Sequence, residues 1–142
     1  MRLPVLAIVL AVLTSLAATL PVHADNANQE LTADLQTWLV GRWVCKYSPS
    51  LKVEAIYGAD KEFMWIFSIG RVPYATVVRQ MGSYEIIAPG NDGHQAAIVA
   101  TIQRTLPEDP QFVPGNQEQA DFTRAGADSM RDSNGECERT AE

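Results

Sequence analysis

The chain has 142 residues, of which 46% are hydrophobic, and 11 basic against 17 acidic side chains give it a net charge of −6. This acidic balance disfavours nucleic acid and anionic lipid as partners, because proteins that bind phosphate groups gain most of their affinity from clustered Lys and Arg. A cationic partner is compatible with the charge, although solubility alone also accounts for its sign. The length fits a single domain.

Residues 1–24 have the pattern of a secretory signal peptide. Arg2 precedes an apolar run over 3–20, and a cleavage site is expected between Ala24 and Asp25. A membrane anchor is the alternative, but the chain lacks the basic flank of a stop-transfer sequence, and acidic Asp25 and polar Asn26 follow the apolar segment. We expect the mature protein to be periplasmic or secreted, without membrane insertion.

The mature segment, 25–142, is expected to form one domain and to remain a monomer. Its first element is predicted as a short amphipathic helix over 28–40, with Asn28 as the cap and Gly41 as the stop. One face of this helix is apolar: Leu31, Leu35, Trp38 and Leu39.

After the helix the apolar residues alternate with a period of two, which is typical of β-strands. Turn-forming residues, among them Gly82, separate the alternating segments 42–48, 51–57, 61–69, 74–81, 83–88 and 94–106. Three prolines between 106 and 115 predict a stiff loop, because proline cannot join a central ladder. Strands at such regular spacing favour an antiparallel barrel or sandwich.

A hairpin is predicted at the end of the chain, because Asn134-Gly135 is a favoured pair for a tight two-residue turn. A turn over 133–136 would pair Arg131 with Glu138 and Met130 with Arg139.

Cys45 and Cys137 are the only cysteines, and in an exported chain they predict one disulfide. If the two residues lie directly opposite each other on antiparallel strands, Trp43 faces Arg139 and Lys46 faces Glu136. One register then gives a disulfide, a cation–π contact and an ion pair, and it closes the sheet. The alternative is a disulfide that joins two elements of a sandwich without a defined register.

These residues resemble the lipocalin-like (calycin) barrels. Leu39 to Cys45 reads L-x-G-x-W-x-C and Cys137 to Arg139 reads C-x-R, which is similar to small exported bacterial proteins, many of them without an assigned activity. The resemblance implies that Trp43 plugs the closed end and that Arg139 packs over it. It also implies an all-β, mostly antiparallel barrel of about eight strands with a short N-terminal helix.

An aromatic stripe is predicted to face the barrel interior. Phe63, Trp65 and Phe67 alternate along one strand, and the hydroxyl of Tyr84 could orient a ligand. Such an interior can hold a small apolar ligand. The alternative is a core filled by the same side chains, which the shortness of the mature chain favours.

No catalytic or metal-binding set is predicted. His94 is the only histidine after residue 24, and it stands beside a predicted turn without other metal-ligand residues at a suitable spacing. A serine or threonine nucleophile would need a base that is oriented by a third group, and the sequence shows no such arrangement. We therefore predict a non-enzymatic binding protein for a small apolar ligand, without a cofactor.

A protein–protein module is the second hypothesis. Glu108 and Asp109 lie in the proline-rich loop close to Phe112, which we expect to be exposed. Such a surface would suit a basic protein partner, for example a basic secreted enzyme that the protein inhibits. A solvated loop without a partner is the alternative.

Overall fold

The fold is an eight-stranded antiparallel β-barrel in a computed structural model that describes residues 22–141. All but the last three residues of the predicted signal peptide, 1–24, lie outside the described residues. The elements in chain order are α1 (Val22–Leu39), β1 (Gly41–Ser48), β2 (Leu51–Tyr57), β3 (Glu62–Ile69), β4 (Thr76–Ile87), β5 (Ala96–Leu106), β6 (Asn116–Arg124), β7 (Ser129–Asp132) and β8 (Glu136–Thr140).

Each strand pairs with the next in the chain, and β8 pairs with β1, so the sheet closes on itself. This confirms the predicted all-β antiparallel barrel. The helix packs against the end of the barrel where β1 begins and β2 ends, and we call this the closed end. The opposite end, where β1 ends at Ser48 and β3 ends at Ile69, is the open end.

Two of the eight strands differ from the predicted segments. Two predicted segments merge into the single strand β4, and β6 was not predicted at all. The sequence of β6, NQEQADFTR, contains few apolar residues, and most of its side chains are exposed. A strand of this kind lacks the alternation on which the prediction depended.

The helix begins earlier than predicted but presents the predicted face. Asn28 lies inside α1, where its carbonyl oxygen accepts a hydrogen bond from Thr32 Oγ1 at 2.7 Å, so it is not the cap. Leu35 and Leu39 are fully buried, and Trp38 is almost so. The helix therefore covers the closed end with the side chains that the spacing indicated.

The closure between β1 and β8 has the predicted register. Trp43 lies opposite Arg139 and Cys45 lies opposite Cys137, and the two cysteines form a disulfide with their Cα atoms 4.1 Å apart. The predicted ion pair between Lys46 and Glu136 is not formed. Glu136 instead lies opposite Arg131 and forms an ion pair with it, with Arg131 Nη2 at 2.6 Å from Glu136 Oε1.

The turn of the tail hairpin lies one residue earlier than predicted, which shifts the strand pairing by two residues. Its strands pair Met130 with Cys137 and Arg131 with Glu136, and the Asp132 N–H donates to the Gly135 carbonyl at 2.9 Å. The Asp132 carboxylate accepts from the backbone N–H of Asn134 at 2.8 Å and of Gly135 at 2.9 Å. This side-chain cap fixes the turn one position earlier than the Asn-Gly pair alone favours.

Gly82 does not form the predicted turn, because β4 runs straight through it. It lies opposite Ile102 at a register shift between β4 and β5, where a β-carbon on Gly82 would sit 1.9 Å from the Thr101 carbonyl oxygen. The shift also reverses the alternation along β5, so that Ile102 and then Thr105 are buried. The glycine therefore permits a bulge and a close backbone approach.

We predict that Gly82→Ala lowers the free energy of unfolding by roughly 3 kcal/mol, because the new methyl group collides with fixed backbone. Urea denaturation would measure the change. Gly126→Ala is the matched control, since a β-carbon there meets only the rotatable Ser129 hydroxyl, at 2.8 Å. A loss of stability in Gly82→Ala no larger than in the control would contradict the bulge.

Removal of the disulfide in the double variant Cys45→Ala/Cys137→Ala should lower the free energy of unfolding by about 2–4 kcal/mol, since the bridge closes a long loop. The bridged residues are 92 positions apart. Urea denaturation with and without a thiol reductant provides the control, because the reductant should destabilise the wild type and leave the variant unchanged. An oxidised wild type no more stable than the variant would refute this role.

Candidate ligand cavity

The closed end is plugged by Trp43 and the guanidinium of Arg139. Trp43 is fully buried, and its Nε1 donates to the Leu39 carbonyl at 2.8 Å. The guanidinium carbon lies 4.4 Å from the centroid of the Trp43 ring, and this confirms the predicted contact. Arg139 also donates to the carbonyl oxygens of Trp38 and Val40 and to Asp128 Oδ1, the last at 3.0 Å.

Arg139 therefore joins the last strand to the end of the helix. A cation at the C-terminal carbonyls of a helix is stabilised by the helix dipole as well as by the hydrogen bonds. Gly41 leaves room for this contact, because a β-carbon there would lie 2.9 Å from Arg139 Nη1. Gly41 also has a φ of +131°, which side chains rarely adopt. These two facts explain the glycine of the G-x-W motif.

Trp38, which the sequence predicted only as part of the apolar helix face, forms a second aromatic layer. Its ring centroid lies 4.8 Å from that of Trp43 and 6.3 Å from that of Phe122. Its Nε1 donates to the Ala127 carbonyl at 2.7 Å, and the guanidinium of Arg124 lies 5.1 Å from the ring centroid. The helix is therefore held against the barrel by directed contacts as well as by apolar packing.

Two of the predicted ligand-binding residues, Phe63 and Tyr84, lie in the closed half of the barrel and do not line the cavity described below. Tyr84 is 1% exposed, donates its hydroxyl proton to the Gly58 carbonyl at 3.0 Å and accepts from Gln36 Nε2 at 2.6 Å. Phe63 packs beside Trp65 with the ring centroids 4.7 Å apart. Both residues therefore belong to the packed core of the closed half.

The other two, Trp65 and Phe67, line a cavity of about 320 Å³ in the open half. This volume is at the lower end of the range for ligand pockets, about 300–1,000 Å³. The rest of the inner wall includes the disulfide and apolar or aromatic side chains from four other strands: Val53, Ala55, Tyr57, Ile98, Phe122 and Met130. The aromatic stripe thus borders both a packed core and an open space, and each of the two sequence interpretations describes part of it.

A buried hydroxyl lies in the wall of the cavity. Tyr57 is 4% exposed, and its oxygen accepts a hydrogen bond from Trp65 Nε1 at 2.9 Å. Burial raises the pKa of Tyr57, so the phenol stays protonated at neutral pH. Among the described residues no acceptor is assigned to the proton of this hydroxyl, and it is therefore free to donate to a bound molecule.

Tyr47 and Asp132 form a second polar contact at the disulfide. The Tyr47 hydroxyl donates to Asp132 Oδ2 and lies 3.7 Å from Cys137 Sγ. Burial, followed by the hydrogen bond to Asp132, raises the pKa of Tyr47. Cys45, Asp132 and Cys137 together have the composition of a metal-binding cluster, but both sulfurs are joined in the disulfide and offer no thiolate.

The cavity opens through the side of the barrel, where β7 is too short to cover β6. Strand β6 has nine residues and β7 has four, and the two pair only over Phe122–Arg124 on β6. Residues 116–121 pair with β5 and, within the described chain, have no partner on the β7 side. The mouth of the cavity therefore lies between residues 118–121 and the turn at 132–134.

The predicted partner-binding residues lie in the loop after β5, at the open end. Glu108 and Asp109 are exposed, whereas Phe112 is half-buried and packs against the core, contrary to the expectation that it is exposed. Val113, which is 66% exposed, is the apolar side chain that this loop presents to solvent. His94 is half-buried in the loop before β5.

Comparison of the chain with known protein families, with curated proteins and with solved structures finds no match. Over the part of the chain that the structure covers, no helix combines the length and the apolar character needed to cross a membrane. The geometry of the barrel and its cavity is therefore the basis for any statement about function.

We predict that Arg139→Lys lowers the free energy of unfolding by about 2 kcal/mol, although the charge is retained, because lysine cannot reproduce the forked contact with two carbonyls and the ring. Thermal or urea denaturation would measure this. Arg131→Lys is the control, since Arg131 and its partner Glu136 are both 63% exposed and such pairs contribute little. Equal effects in the two variants would count against the role of Arg139 in closure.

Proposed function

We propose that this protein is a non-enzymatic, exported binding protein for a small apolar ligand. The observation that supports this function is the cavity of about 320 Å³, whose inner wall is aromatic and aliphatic and whose mouth reaches solvent. An apolar molecule gains free energy in such a site because its surface is removed from water. The signal-peptide pattern of residues 1–24 supports the export that we propose.

The support around the cavity favours a preformed site. Its wall is built on paired strands, and the disulfide in that wall joins β1 to β8. The closed end is fixed separately by Arg139 and the two tryptophans. A site that needs little ordering on binding retains more of its interaction energy as affinity.

The polar groups in the wall suit recognition better than chemistry. Both cavity tyrosines, Tyr47 and Tyr57, have raised pKa values, so neither supplies a phenolate at neutral pH. The Asp132 carboxylate accepts hydrogen bonds from Tyr47 and from two backbone N–H groups, and these hold it in place. Positioned donors and acceptors in an apolar wall are the usual features that orient a small ligand.

Filling the cavity should weaken the binding of an apolar ligand. Ala120 lines the cavity and is half-buried, so Ala120→Trp should weaken the binding of the apolar fluorescent dye N-phenylnaphthylamine at least roughly tenfold, equivalent to about 1.4 kcal/mol. Ala59→Trp, at an exposed turn at the closed end, is the control. Dye that binds both variants and the wild type equally would place the binding elsewhere, and wild type that binds no apolar probe would refute the function.

A second candidate function is the docking of a basic protein at the open end. Exposed apolar side chains occur at this end, with Val72 and Tyr74 each 90% exposed and Val113 66% exposed. The last of these lies in the same loop as the exposed Glu108 and Asp109. Apolar patches that border charged groups are typical of protein interfaces.

Charge reversal tests this second function. The double variant Glu108→Lys/Asp109→Lys should reduce capture of a basic partner from the native secreted fraction, and moderate salt should do the same to the wild type. Glu30→Lys/Glu85→Lys, at exposed sites away from this loop, is the control. Capture that is insensitive both to the loop variant and to salt would exclude electrostatic docking there.

A further inference from the structure

The mouth of the cavity carries charge of one sign. Among the residues that line the cavity, three are acidic, and none is a lysine, an arginine or a histidine. Glu118 and Asp132 have inward-facing positions on opposite sides of the mouth, and Asp121, which alternates with the inward Ala120 and Phe122, lies at its outer rim. Charges of one sign around an opening with apolar walls concentrate the electric field there.

Two of these carboxylates are held by hydrogen bonds. Asp121 accepts from the backbone N–H of Asn91 at 2.8 Å and from Gln119 Nε2 at 3.1 Å. The first of these bonds lowers the pKa of Asp121 and keeps it ionised. Asp132 is fixed by Tyr47 and by its own turn. Asp121 is therefore a fixed negative charge near the mouth, and the Asp132 carboxylate is held in one position beside it.

Glu118 differs because its carboxylate has no hydrogen bond or ion pair with any other residue in the described part of the chain. It lies opposite Ala100, which is fully buried, so this position of β6 faces the interior. Its side chain is nevertheless exposed, at the level of the mouth. Glu118 therefore combines an inward-facing position with a carboxylate that is free to meet the polar head of a bound molecule.

The cationic side chains on the neighbouring strands do not compensate this charge. Arg131 is next to Asp132 but lies on the outer face, where it pairs with Glu136 at 2.6 Å. Lys46 alternates with the inward residues Cys45 and Tyr47 and is exposed on the outside of β1. A ligand with a carboxylate head, such as a fatty acid, would therefore meet repulsion at the mouth, and no lysine or arginine among the described residues that line the cavity balances it.

We propose that the ligand of this cavity is an amphiphilic amine, with an apolar chain beside Trp65 and an ammonium group at Glu118. This inference rests on the proposed binding function and specifies its ligand class. The buried Tyr57 hydroxyl supplies a hydrogen-bond donor deeper in the wall, which suits an amine that also carries an acceptor such as an ether or carbonyl oxygen. The field at the mouth attracts the cation and orients the chain inward.

Three compounds with the same chain and different heads test the proposal: octylamine, octanol and octanoate. Binding to the full mature, oxidised protein is measured by calorimetry and by the change in tryptophan fluorescence. We expect octylamine to bind most tightly and octanoate most weakly. Glu118→Gln should weaken octylamine binding about fivefold and leave octanol unchanged, because the lost contact is a partly exposed ion pair.

Glu138→Gln, an exposed residue on the outer face of β8, is the matched control and should leave all three affinities unchanged. Raised ionic strength should narrow the preference for octylamine in the unmutated protein, and this measurement does not depend on any variant. Octanol or octanoate that binds as tightly as octylamine would overturn the amine proposal and leave the apolar binding function standing. Failure of all three compounds to bind would overturn both.

Discussion

The register between the first and the last strand is the constraint on which the rest of the structure depends. Side chains in a strand alternate between faces, so a slip of one residue between β1 and β8 would put Cys137 and Arg139 on the opposite face of the sheet from Cys45 and Trp43. Two consecutive inward pairs exclude this slip, one by a covalent bond and the other by the contact of a guanidinium with an aromatic ring. The two pairs lie at different heights in the barrel, so they belong to two different regions of it.

The pair nearer the helix makes the closed end, and the pair nearer the middle belongs to the cavity wall. Arg139 donates to the carbonyls at the end of α1 and packs over Trp43, while Trp38 and Tyr84 contribute to the packing between the helix and the barrel. Above this layer the disulfide, Trp65 and Phe67 border open space. Trp38, Trp43 and Tyr84 fill the closed half, whereas Trp65, Phe67 and Phe122 border the cavity, so the chain both closes one end and keeps an open space.

The parts of the fold that the sequence predicted are those with a strong local signal. The helix face, the aromatic stripe of β3 and the pairing of Cys45 with Cys137 all follow from spacing and residue type. Gly82 and the tail turn were misread because the outcome depended on contacts that the pattern does not contain, a carbonyl on β5 and the carboxylate of Asp132. The position of the mouth depends on the difference in length between β6 and β7, and hence on a strand whose sequence gave no signal.

The uncovered part of β6 exposes backbone donors and acceptors that another chain could pair with, and such an edge is a route to aggregation. Here the bare segment carries Asn116, Gln117, Glu118 and Gln119, all exposed and none of them apolar. A second molecule that added to this edge would have to bury a carboxylate and several amides without an apolar surface in return. The same polar composition that leaves β6 without a hydrophobicity pattern therefore opposes strand addition at the gap in the barrel wall.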